Sequence, residues 1–185
     1  MKQLRTLLRL NAAAIILAGL GVASASAQTF AATGTTTLAV NVGAEASIAI
    51  NTPSTSLSTS GGLFADFTGT TNFTYKVRTG QSSGAGTIVL SITSDFNGTG
   101  GPKVATPPSA GDALTYTCTL AASGTGCGSA QTASTTATTS VATFGADAHS
   151  VKAGDAGSVS WSLTNDPVYK TGSYTATATF TISAT

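Results

Sequence analysis

The chain has 185 residues and a formal net charge of +1; only 8% of it is charged, 41% is hydrophobic, and it holds 21 glycines. Low charge with that much apolar content is the reverse of a disordered composition. No basic run or stripe exists, so nucleic acid is excluded as an expected partner.

The first segment reads as an export signal. Lys2, Arg5 and Arg9 form a positive start, Ala12 to Val22 is an uncharged apolar stretch too short to span a bilayer, and Ala25-Ser26-Ala27 is a small-x-small cleavage site. Residues 1–27 are therefore expected to be a signal peptide, with cleavage before Gln28. Residues 28–185 are expected to be a single β-sandwich domain. Three of the eight Lys and Arg leave with the signal, so five basic residues face seven acidic ones and the net charge becomes −2.

After a polar leader over 28–35, apolar residues alternate strictly at Leu38, Val40, Val42, Ala44, Ala46, Ile48 and Ile50. Alternation with period two is the mark of a strand with one face buried. Gly43 is the natural break, giving two strands or one kinked strand. Asn51 to Gly62 is a polar loop. Phe73, Tyr75 and Val77 then alternate with Thr74, Lys76 and Arg78, and Ile88, Leu90 and Ile92 with Val89, Ser91 and Thr93. Two such runs joined by the turn Gln81 to Gly86 read as a hairpin.

Asn97 to Asp112 is a long Gly/Pro loop. Leu114, Tyr116, Cys118 and Leu120 share one face of the next strand, which points Cys118 toward the core edge. Ala121 to Ser140 is uncharged and reads as a long loop or a weak edge hairpin. Val141 to Phe144 is a short strand. Val159, Trp161 and Leu163 alternate with Ser160, Ser162 and Thr164, so the single Trp should be buried. The last stretch, Ser173 to Ser183, sets Tyr174, Ala176, Ala178, Phe180 and Ile182 against a face of Ser and Thr. No helix-period stretch appears beyond the signal. Seven or eight short strands at this spacing predict an all-β, two-sheet antiparallel sandwich of immunoglobulin-like type.

Cys118 and Cys127 are the only cysteines. In an exported chain an even pair at short spacing is most simply a disulfide; a metal or redox pair has no CxxC and no neighbouring His to support it. His149, the only histidine, lies near Asp147, yet no GxSxG context supplies a nucleophile, so it reads as an exposed loop residue. The seven carboxylates Glu45, Asp66, Asp95, Asp112, Asp147, Asp155 and Asp166 are scattered beside turn-forming residues, where Asp bonds nearby backbone N–H groups. No DxDxDG run marks a calcium loop. No catalytic, cofactor-binding or metal-binding residue is therefore assigned. Asn72-Phe73-Thr74 and Asn97-Gly98-Thr99 match the glycosylation sequon, with Asn97 the more accessible by its place in a loop.

Gly172-Ser173-Tyr174 at the start of the last strand resembles the closing strand of secreted bacterial immunoglobulin-like domains, and the tail of spore-coat-protein-U-type and archaic pilin domains. The resemblance covers about the last twenty residues and implies architecture and a surface role, with no functional residue carried over. The expectation is a secreted, non-enzymatic structural protein of the cell surface, extracellular space or periplasm, of fibre or pilus-like type, self-associating through strand edges. The other readings are an extracellular binding module, for which Tyr169 and Phe64 are the loop aromatics, then a small membrane barrel, then an enzyme.

Overall fold

The computed structural model describes residues 33–185. The expected signal peptide and cleavage site lie outside that range. Thr33 to Val40 forms no regular element, and residues 41–185 make one compact unit.

The fold is all-β. Ten strands follow in order: β1 (Glu45–Ile50), β2 (Ser58–Thr59), β3 (Phe67–Arg78), β4 (Gly86–Ser94), β5 (Thr115–Leu120), β6 (Thr125–Gly126), β7 (Gln131–Thr132), β8 (Thr139–Phe144), β9 (Asp155–Leu163) and β10 (Thr177–Ala184). Seven have six residues or more; the other three are two-residue pairings. One antiparallel sheet runs β1-β3-β9-β5-β7, with β2 also on β3; the second runs β10-β4-β8-β6. Among the described residues no helix is long and apolar enough to cross a membrane.

Alternation places the core. Phe73, Tyr75 and Val77 of β3, Val159, Trp161 and Leu163 of β9 and Tyr116 of β5 point inward from the first sheet. Ile88, Leu90 and Ile92 of β4 and Val141, Ala142 and Phe144 of β8 meet them from the second. The consecutive buried pair Val141 and Ala142 follows from a register shift between β4 and β8 at Ile88/Val89. Gly157 of β9 sits where a Cβ would lie 2.4 Å from the Phe73 ring, so only glycine lets that ring lie flat on its neighbour.

The expected hairpin between the runs at 73–78 and 88–92 does not form: β3 and β4 belong to different sheets. Gln81 to Gly86 carries the chain across the core instead of folding it back within one sheet. The crossing is tight. Gly84 N donates to Gly80 O at 3.1 Å, and a Cβ on Gly84 would fall 2.2 Å from Gly80 N. The alternating run from Leu38 to Ile50 also yields one strand rather than two; only Glu45–Ile50 pairs, with β3.

Several polar groups that alternation buries are matched, although Asp155 Oδ2 at the start of β9 is buried without a partner. Trp161 Nε1 donates to Thr71 Oγ1 at 2.9 Å, and Thr71 Oγ1 is 2.6 Å from Thr55 Oγ1. Tyr116 Oη donates to Ser140 O at 2.8 Å, tying β5 in one sheet to β8 in the other. Thr71→Val leaves the indole N–H without a partner, so we expect a loss of about 1–3 kcal/mol in urea unfolding followed by Trp161 fluorescence. An unchanged midpoint would show that the bond contributes nothing.

Burial pushes the hydroxyls of Tyr75 and Tyr116 above the ordinary tyrosine range, and the Asp155 charge adds to the rise at Tyr75. The folded protein thus favours neutral tyrosine. The sign follows: stability is intact below the unfolded tyrosine value of about 10 and is lost as pH rises through the shifted values. Circular dichroism read beside tyrosinate absorbance should show unfolding only above about pH 10.

Candidate functional site

The two flanks of the sandwich differ. On one, β6 pairs with β8 in the second sheet and β7 with β5 in the first, so the chain from Ala121 to Thr132 crosses from sheet to sheet and back. Cys118 and Cys127 form a disulfide across the base of this crossing. Closing a loop of that length tightens the unfolded chain by about 2–3 kcal/mol. The stretch read as a loop or weak edge hairpin is therefore a stapled cover over one flank.

The other flank is bounded by the two edge strands. β1 ends the first sheet and β10 the second, and the two strands lie against each other across the gap. Among the described residues neither has a strand on its outer side, so each presents a row of free N–H and C=O groups. Their inner side chains are only half-buried: Ala46 and Ile48 on β1, Ala178, Phe180 and Ile182 on β10. Phe180 reaches the Phe73 ring, with centroids 5.8 Å apart. The outer face of β10 carries the exposed hydroxyls of Thr177, Thr179, Thr181 and Ser183.

The segment ahead of β1 is apolar and uncovered. Leu38 is 90% exposed, Val40 85% and Val42 61%. They continue the alternation of β1, in a stretch that forms no strand. Arg78 fixes the start of β1: its Nε donates to Gly43 O at 2.7 Å, and its Nη2 forms an ion pair with Glu45 at 3.0 Å. A shallow groove of about 380 Å³ lies here, lined in part by Lys76, Arg78, His149 and Lys152.

The residues weighed from sequence are placed as follows. His149 is exposed, with ring Nδ1 2.8 Å from Asp147 O; the Ser123 hydroxyl donates to its backbone carbonyl at 2.7 Å, not to the ring. Asp95 anchors the long loop. Burial raises its carboxyl, but N–H groups of Val104, Ala105 and Phe96, with Lys103 beyond them, outweigh that and lower it overall. Asp155 is buried inside β9 and Glu45 lies in β1, so neither is a turn residue. Asp112 and Asp166, far apart in sequence, are brought side by side. Asn72 is exposed as well as Asn97, and Asn97 is held, since its Oδ1 accepts Thr175 N at 2.8 Å. Phe64 is exposed at a loop tip in the left-handed backbone region, whereas Tyr169 is half-buried.

The chain matches no family model, no curated protein and no solved structure.

Proposed function

We propose that this is an exported structural protein, an immunoglobulin-like sandwich that joins chain to chain by strand addition. The observation that carries this is the presence in one chain of an exposed alternating segment, Leu38 to Val42, and of two sheet edges, β1 and β10, with no strand on their outer sides among the described residues. An extended segment gains main-chain hydrogen bonds on a free edge, and its alternate side chains face inward. Residues 36–42 extended span about 23 Å, close to the length of a six- to eight-residue edge. The half-buried Ile48, Phe180 and Ile182 are the apolar surface such a strand would cover.

Export is supported by the charge, apolar run and small-x-small site at the N-terminus, and by the Cys118–Cys127 disulfide, which belongs to oxidising compartments. The test is electron microscopy and sedimentation of the secreted chain beside one lacking residues 28–43. Fibres or oligomers from the full chain alone support the reading; identical behaviour of the two removes it.

Binding to an external surface has one observation in its favour, the exposed pair Leu63 and Phe64 at a loop tip. Sugar faces stack on such rings. A glycan array that gives no signal, or a signal that Phe64→Ala leaves intact, disposes of that reading.

A further inference from the structure

Two loops meet at one end of the first sheet and bury carboxylate oxygen without a counter-charge. β5 and β9 pair with Thr115 opposite Ser162, so the loop before β5 and the loop after β9 emerge together. Thr164 Oγ1 donates to Gly111 O at 3.2 Å and joins them. Each loop is folded on itself: Asp112 N donates to Ser109 O at 3.3 Å, Val168 N to Asp166 Oδ1 at 2.8 Å, and Tyr169 N to Asp166 O at 3.0 Å.

Asp112 is 2% exposed, and its Oδ2 accepts no hydrogen bond. The Asp112 carboxyl and the Ser109 hydroxyl both lie against the Asp166 carboxyl. The Tyr169 hydroxyl lies against the Asp112 carboxyl without reaching hydrogen-bond geometry, and it too is buried and unpartnered. Burial, then the two carboxylates, push that hydroxyl far up. No cation answers them: the adjacent Lys170 lays its side chain over Gly100, and the one ion pair among the described residues is Arg78–Glu45.

An uncompensated buried carboxylate costs several kcal/mol. What it lacks is positive charge, and the side chains grouped with it, Asp166, Ser109 and Tyr169, all present oxygen. Oxygen-only sets with two carboxylates suit a hard divalent cation, whereas zinc and copper favour nitrogen and sulfur. Irregular loop geometry suits calcium, which tolerates flexible coordination, better than magnesium, which demands a near-ideal octahedron. We propose that Asp112 and Asp166, with the Tyr169 hydroxyl, form a calcium site that locks the loop before β5 to the loop after β9. With two carboxylates and no third acidic, His or Cys ligand in the group, its dissociation constant falls in the range of extracellular modules, about 10⁻⁴–10⁻³ M.

The experiment is thermal unfolding of the full chain in EDTA and in about 10 mM calcium chloride, at matched ionic strength. Calcium should raise the midpoint by about 3–8 °C. Asp166→Asn, which removes a surface-side ligand, should fold normally and lose the rise. Asp112→Asn should lose the rise too, and should be more stable than the parent in EDTA because the orphan charge is gone. Equal midpoints with and without calcium, or a rise that Asp166→Asn retains, would overturn the site. Stabilisation by acid alone, with no calcium response, would show that a proton fills the place instead.

Discussion

Phe73→Ala should cost about 3–5 kcal/mol, a large share of the 5–15 kcal/mol that holds a typical domain together. Phe73 is fully buried at the centre of β3, between Ile50 of β1 and Gly157 of β9. Its ring lies on the bare backbone of Gly157, 6.1 Å from Tyr75 and 5.8 Å from Phe180. Truncation removes apolar area and leaves a cavity that cannot collapse, because the floor is β-ladder backbone and the walls are aromatic rings. It also frees Phe180, the one ring by which edge strand β10 is anchored to the first sheet. We therefore expect a second effect, faster amide exchange along β10 than along β9. Ser160→Ala, on the outer face of β9, is the control and should stay within about 0.5 kcal/mol. Urea unfolding read by Trp161 measures both. A loss below about 1 kcal/mol at Phe73 would mean that the two sheets are not held by this contact.

The faces of the strands were legible because side-chain alternation is a local property. Trp161, Tyr116 and Phe73 were expected inside and are inside, and the hydroxyls of β10 were expected outside and are outside. Partner choice was not legible. The runs at 73–78 and 88–92 have the composition of a hairpin, yet the same turn residues serve a crossing between sheets. What decides is the close approach of Gly80 and Gly84 and the competition of β1 and β9 for both edges of β3. β6 and β7 carry two residues each and no pattern to read; their place follows from the disulfide and from the strands they touch.

The candidate sites divide in the same way. The flank edged by β1 and β10 was half-visible, since the run from Leu38 to Ile50 is longer than one strand needs. Asp112, Asp166 and Tyr169 carried no signal, because loops separated by some fifty residues meet only through the pairing of β5 with β9. Turn chemistry accounted for each aspartate singly and hid the meeting of two of them.

Replacing Leu38, Val40 and Val42 together with Asp should abolish chain–chain association while leaving the fold intact. These side chains are exposed and their segment forms no strand among the described residues, so little burial is lost when they change. The unfolding midpoint of the isolated chain should therefore stay within about 0.5 kcal/mol of the parent. Association should respond steeply. Each side chain contributes about 1.5–3 kcal/mol when fully buried, and burying a carboxylate in its place reverses the sign. Three such changes exceed what the main-chain bonds of one added strand supply, at about 0.5–1.5 kcal/mol each. Substituting the intervening Thr37, Ala39 and Asn41 with Asp tests the alternation itself. Those positions would face water in an added strand, and association should survive with only a salt-dependent weakening. Sedimentation of the three chains separates the outcomes. Loss from both variants equally points to general charge repulsion, loss from neither removes strand addition, and loss from the apolar set alone is the result expected of a segment that adds with one face inward to the edge of β1 or β10.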